Sequence, residues 1–282
     1  MARNFLEQIV AHKQEEIAAA RERVPEDALR AMAAEHRQRR PFLQRLTLDT
    51  IAGVRVIAEI KRASPSKGPI RPNLNPASLA RAYEIGGAAA LSVLTDTAFF
   101  HGSLQDLRAA RQATELPVLR KDFLISSYQI YESAAGGADA VLLIARILTG
   151  AQLQDYLSLC TQLHLDALVE INSESDLSLA SRAGARLIGI NNRDLRTFKT
   201  DLHTTRRLAA LLAPGQIGVA ASGIQNRSDI DRLLTTGMRG FLVGESLVRA
   251  KDPVSFLQSL TGADSHSDSG RRPLGKSGEP VS

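Results

Sequence analysis

Tryptophan is absent from this chain of 282 residues, and cysteine occurs once, at Cys160. A single thiol excludes an intrachain disulfide and fits a reducing compartment. Its place in the helical stretch QLQDYLSLCTQLHL reads as a buried structural group. Long apolar runs are lacking too. Nothing approaches the roughly 20 apolar residues that span a bilayer, and the opening MARNFLEQIVAHKQEE carries charge where a signal peptide would have its apolar core. The expectation is a cytoplasmic protein that binds no membrane. Aromatics make up only 4% of the residues, and the net charge of +5 comes from Lys and Arg scattered among nearly as many Asp and Glu. Without a basic run or interleaved aromatics, nucleic-acid binding is not expected, whereas a small anionic substrate is compatible with the balance. The spellings GxGxxG and HExxH are missing, as are Cys and His at metal-ligand spacing. The six histidines are dispersed, and His101 and His164 read as surface or packing residues. No nucleotide, metal or other cofactor is expected.

What is present begins with helical periodicity over residues 3–22, where Phe5, Leu6, Ile9, Val10 and Ile17 form one stripe with charges opposite. A second helical stretch covers about 26–37, and PFLQRLTL then leads towards the first strand. Residues 1–50 are read as a helical extension that packs on the remainder. From there a rhythm of short apolar runs starts: VRVIAEI (54–60), AALSVL (89–94), PVLRK (117–121), ADAVLLI (138–144), DALVEI (166–171), RLIGI (186–190), IGVAAS (217–222) and GFLV (240–243). Helical patterns separate them, with start signals at Asn75 before Pro76, at Asn226 three residues ahead of Asp229, and at Asp252 before Pro253. Runs so far apart pair in parallel through crossovers. A closed (β/α)8 barrel over 51–261 and an open doubly wound sheet both satisfy this pattern. Residues 262–282 are rich in Ser, Gly and Pro and are expected to be disordered.

The placement of polar residues favours the α/β class in its (β/α)8 TIM-barrel form. Glu59 and Lys61, Lys121, Glu170, Asn191 and Ser222 fall at the C-terminal ends of different strands, which a barrel gathers into one mouth. Ile57, Glu59 and Lys61 share a strand face, because alternate residues point the same way. One such charge is an ordinary strand-end group; several together are costly to bury unless they serve one another or a ligand. A lysine and a glutamate facing one cavity can supply a general acid and a general base. ASGI (221–224) and LVGESL (242–247) follow the seventh and eighth strands, where such barrels hold phosphate with backbone N–H groups and a short helix. The residues alone point to acid–base chemistry on a phosphorylated small molecule.

At this level of detail the chain resembles the indole-3-glycerol phosphate synthases. The resemblance is carried by IAEIKRASPSKG (57–68), LSVLTDTAFFHGS (91–103), VLRKDFLI (118–125), YQIYESAAGGADAVLLI (128–144), LVEI (168–171), GINNRDL (189–195), ASGI (221–224) and VGESL (243–247), in order and spacing over roughly residues 3–255. It implies a cofactor-free lyase of tryptophan biosynthesis that converts 1-(2-carboxyphenylamino)-1-deoxyribulose 5-phosphate to indole-3-glycerol phosphate by ring closure, decarboxylation and dehydration. By the same resemblance, Lys61 meets anionic groups of the substrate with Glu59 beside it. Lys121 is the principal general acid, Glu170 the carboxylate near the aniline nitrogen, and Asn191 a hydrogen-bond partner of the substrate. Which lysine serves which step stays open. Arg193 supports its loop, Ser222 contacts the anthranilate part, and Gly223, Gly244 and the backbone of Glu245 hold the phosphate with Ser64 nearby. Phe100 covers the aromatic ring or packs its loop. A monomer is expected, with an enzyme of the same pathway as a conceivable partner.

One departure stands out: the family commonly has Glu directly before SGI, and here Ala221 takes that place. Two alternatives are weighed. Phosphoribosylanthranilate isomerase, another barrel acting on a ribulose phosphate, uses a Cys–Asp pair, and Cys160 lies mid-helix, far from any strand tip. A non-catalytic phosphate binder finds support only in Ala221, against the presence of Lys61, Lys121 and Glu170.

Overall fold

The computed structural model describes residues 5–35, 38–48, 53–194 and 197–262. Eight parallel strands close into a barrel: β1 (Arg55–Ile60), β2 (Ala90–Leu94), β3 (Val118–Lys121), β4 (Ala140–Ile144), β5 (Asp166–Ile171), β6 (Leu187–Asn191), β7 (Ile217–Ala221) and β8 (Gly240–Val243). Each pairs with its neighbours in sequence, and β8 returns to β1 with Val56 opposite Phe241. The open-sheet alternative is thereby set aside. Alternation divides every strand between two apolar layers. Ile57, Leu119, Leu142, Leu168, Val219 and Leu242 fill the barrel interior, while Val56, Ala58, Val118, Val141, Ile188 and Phe241 pack beneath the outer helices. Both faces are buried, which is why these strands read as nearly continuous apolar runs. Each fully buried large side chain contributes about 1.5–3 kcal/mol.

The outer helices start where short polar side chains replace missing backbone partners. The Asn75 side chain accepts from the Ser78 N–H ahead of Pro76–Ile85, and Asp252 accepts from Val254 and Ser255 ahead of Pro253–Thr261. Asn226 and Asp229 cap each other at the start of Arg227–Leu234. Each cap satisfies orphan N–H groups and stabilises by about 1 kcal/mol.

The N-terminal segment embraces the barrel at both ends. Helix α1 (Phe5–Arg23) buries Leu6, Ile9, Lys13 and Ile17, so the stripe is present but one position on it is a lysine. This corrects the expectation that charges keep to the opposite face. The Tyr128 hydroxyl donates to the Ala20 and Val24 carbonyls at 3.0 Å each, tying the end of α1 to the helix Ser127–Ala135. Helix α2 (Glu26–Glu35) packs on that same helix. The PFLQRLTL segment is itself a helix, α3 (Phe42–Thr47), whose Phe42 and Leu46 join the interior cluster with Ala140, Leu168 and Leu187. It has no local side-chain cap. Asp166, the first residue of β5, accepts from the Leu43 N–H at 2.8 Å, and Asp139 accepts from the Arg40 N–H at 2.9 Å. Apart from Gly262, a left-handed residue that ends the last helix, the tail expected to be disordered lies outside the described residues.

Candidate active site

The interior face of β1 ends in Glu59 and Lys61, and their side chains pair at 2.6 Å. Glu59 is 5% exposed. Burial pushes its carboxyl pKa up, but the neighbouring Lys61 and Lys121 ammonium groups outweigh that and hold it below the ordinary value. Lys121, the last residue of β3, lies 3.5 Å from Glu170 near the end of β5. Burial works to lower its pKa, yet Glu170 and Glu59 prevail and raise it, so Lys121 remains an ammonium at neutral pH. Asn191 ends β6 and donates its amide to Glu170 at 3.0 Å, while its carbonyl oxygen accepts from the Arg193 N–H at 2.9 Å. Lys61, Glu59, Lys121, Glu170 and Asn191 thus form one connected array.

All of these residues line a cavity of about 690 Å³ at the mouth of the barrel. So do Ser64, Phe100, Arg193, Ser222, Gly223, Gly244 and Glu245. Two of the loops there have backbone built for close approach. Ser222 and Gly223 follow β7 with φ of 67° and 82°. A left-handed serine costs about 1 kcal/mol or more, and strain of this kind concentrates at functional turns. Gly244 precedes the short helix Glu245–Arg249, and a Cβ there would lie 2.2 Å from Glu59 Oε1. Ser64 is buried, and its hydroxyl has no hydrogen-bond partner among the described residues. It is a polar atom in the cavity wall. Arg193 spans three loops: it donates to Ser66 at 3.0 Å and to Thr200 at 3.2 Å, and approaches Glu245 at 3.8 Å. The Glu245 carboxylate also accepts from Arg249 at 3.3 Å.

Several lining residues were not singled out from sequence. Phe123 stands beside Phe100, with ring centroids 6.0 Å apart, and Phe5, Leu6 and Ile9 of α1 complete the apolar side of the wall. Phe123 follows Lys121 by two positions, the spacing that puts strand residues on one side. Lys67, Ser246 and Arg249 add polar groups from the loops after β1 and β8. Cys160 is buried in the helix Gly150–Gln162, where burial pushes its thiol up to about 12, so it is not a nucleophile. His101 and His164 are exposed.

Among the described residues no three His, Cys, Asp or Glu side chains are grouped to hold a metal ion, and no helix is long and apolar enough to cross a membrane. The string GRRPLGKS at 270–277 does carry the spelling GxxxxGK[ST] of a nucleotide-binding loop. It follows no apolar strand run, as such a loop must, and lies outside the described residues.

A closed (β/α)8 barrel with paired lysines and carboxylates at its mouth, and glycine-bearing loops after β7 and β8, belongs to the barrels that act on small phosphorylated molecules. Among solved structures it is similar in fold to thiamine phosphate pyrophosphorylase from Pyrococcus furiosus (TM-score 0.56, 17% identity, covering 75% of this chain and 95% of that one). At that identity the likeness shows the architecture alone. The family pattern described as "Indole-3-glycerol phosphate synthase" matches residues 6–260. Proteins of that name from Desulfosudis oleivorans and Syntrophobacter fumaroxidans are 57% and 49% identical over 258 and 260 residues, covering 91% and 92% of this chain and 98% of each relative. The chain belongs to the indole-3-glycerol phosphate synthase family.

Proposed function

We propose that this chain catalyses the conversion of 1-(2-carboxyphenylamino)-1-deoxyribulose 5-phosphate to indole-3-glycerol phosphate, the reaction its family membership supports, and that the array at the barrel mouth carries it. The observation on which the residue roles rest is the Lys121–Glu170 pair at 3.5 Å, coupled through Glu59 to Lys61. The substrate is anionic at both ends and carries an electron-rich aniline between them. Its phosphate sits against the backbone of Gly223, Gly244 and Glu245, with Ser64 and Lys61 at hand. Its aromatic ring lies along Phe100 and Phe123 with Ser222 at the edge.

Ring closure joins the aromatic carbon that bears the carboxylate to the ketone carbon. The ketone oxygen gains negative charge as this bond forms, and a lysine ammonium stabilises that charge and delivers the proton. Lys121 is assigned this role because its carboxylate neighbours hold it protonated. Loss of CO2 restores the aromatic ring. The new hydroxyl then departs as water, which needs a proton on the oxygen and release of one from the methylene carbon beside the nitrogen, the product keeping its N–H. A lysine supplies the first, and Glu170, oriented by the Asn191 amide, accepts the second. General acids and bases placed in this way accelerate by about 10²–10⁴-fold each. Arg193 ties the loops after β1, β6 and β8 together around the bound substrate.

A turnover assay tests this reading: the carboxyphenylamino-deoxyribulose phosphate is mixed with the full chain, and indole emission is followed. The chain has no Trp, so product appears over a dark background. Rising emission is the expected result; binding without emission would make the protein a non-catalytic phosphate binder.

A further inference from the structure

Lys13 is the one cation on the buried face of α1, fully enclosed and surrounded by carboxylates. Its Nζ lies 2.9 Å from Asp96 Oδ2, 3.0 Å from Asp122 Oδ1 and 2.9 Å from Glu16 Oε2. The two aspartates belong to different active-site loops. Asp96 follows β2, and its Oδ1 accepts from the Phe99 and Phe100 N–H groups at 2.7 and 3.2 Å, fixing the turn that carries Phe100. Asp122 follows Lys121 directly; it accepts from its neighbour Phe123 N–H at 2.8 Å and pairs with Arg120 at 3.1 Å. Phe100 and Phe123 are the two rings of the cavity's aromatic wall.

A buried ammonium is expensive to desolvate, and an ion pair to an alternative apolar design is frequently no gain in stability. Three carboxylates converging on one such group is more than anchoring a helix requires, since Ile9, Ile17 and the Tyr128 hydroxyl already hold α1. Lys13 joins the Phe100 turn to the Lys121–Phe123 strand end from the N-terminal helix, beside Thr95, whose hydroxyl donates to Asp122 and whose N–H donates to the Lys121 carbonyl at 3.1 Å. We propose that Lys13 is a positioning residue for the substrate's aromatic end, setting the spacing of the Phe100 and Phe123 rings through Asp96 and Asp122. This rests on the function proposed above. The phosphate loops, on the opposite side of the mouth after β7 and β8, share none of these contacts. Lys13 therefore acts on one end of the substrate and not on the other.

The test uses the full chain carrying Lys13→Met, with turnover of the carboxyphenylamino-deoxyribulose phosphate and competitive inhibition by inorganic phosphate as its two readouts. Loss of a charge-assisted tie at the aromatic wall should raise KM about tenfold, and leave the inhibition constant of phosphate within about twofold of wild type. Lys13→Met strands Asp96 without its cation, so Lys13→Met/Asp96→Asn is measured beside it; the Asn oxygen still accepts from Phe99 and Phe100. The double variant should regain thermal stability and keep the raised KM, and it alone carries the test should Lys13→Met not fold. An unchanged KM, a KM restored together with stability, or a parallel rise in both constants would each overturn the proposal and leave Lys13 as a fold stabiliser. Absence of turnover in the wild-type chain would instead strike the proposed function.

Discussion

Gly244→Ala is a small change with a large calculable consequence. The glycine has a φ of −123°, so no left-handed turn calls for it. The obstacle is in front of it. An added Cβ would lie 2.2 Å from Glu59 Oε1, 2.9 Å from Glu59 Cδ and 3.1 Å from Lys61 Nζ. A carbon and an oxygen rest at about 3.3 Å, so the carboxylate must retreat by about 1 Å. Glu59 is buried and paired with Lys61 at 2.6 Å, and a retreat of that size breaks the pair. A hydrogen bond to a charged group contributes about 1.5–3 kcal/mol, equivalent to about 10–150-fold in rate or affinity. The methyl also intrudes on the cradle assigned to phosphate, so part of the loss falls on KM. Steady-state turnover, read by indole emission with thermal unfolding as a control on the fold, should show kcat/KM lower by at least about tenfold. A folded Gly244→Ala enzyme within about twofold of wild type would refute both the catalytic use of the Glu59–Lys61 pair and the phosphate cradle at Gly244.

Two further outcomes follow from the same geometry. Ala221 lines the cavity at the tip of β7, and Ala221→Glu would add a carboxylate to the array; the kcat–pH profile should change, and an unaltered kcat and profile would show that the position is outside the chemistry. Asp122 titrates at about 2, below its ordinary 3.8, because burial is outweighed by Arg120 and Lys13. A depressed carboxyl stabilises the fold above its unfolded value and loses that contribution as pH falls, so about 2 kcal/mol should disappear between pH 3.8 and about 2. Urea unfolding across that interval should be less steep with pH in Asp122→Asn; an identical slope would remove Asp122 from the acid response.

The barrel was legible because a parallel strand buried on both faces leaves an apolar run in the chain, and VRVIAEI, ADAVLLI and GFLV all do so. The site was legible for a related reason. Glu59, Lys121 and Glu170 interrupt such runs near their ends, where apolar residues would otherwise continue, and the fold brings those ends together. What stayed hidden depends on residues far away in sequence. Helix α3 carries no cap of its own and is completed by Asp166, more than a hundred positions on. Lys13 reads as one more solvated charge on a mixed helix until Asp96 and Asp122 are seen to surround it. Phe123 could have been found from its i+2 relation to Lys121 and the end of β3. Arg193 was placed near the site, but its span across three loops exists only in the folded chain.

The Lys121 ammonium is the proposed proton donor at the barrel mouth, held charged by Glu170 and Glu59. The most direct measurement is kcat of Lys121→Ala with the carboxyphenylamino-deoxyribulose phosphate, at saturating substrate and neutral pH. A positioned general acid is worth about 10²–10⁴-fold, and kcat should fall by at least about a hundredfold with a smaller change in KM. A folded variant that loses less than about tenfold would contradict the account and move the proton transfer to another group.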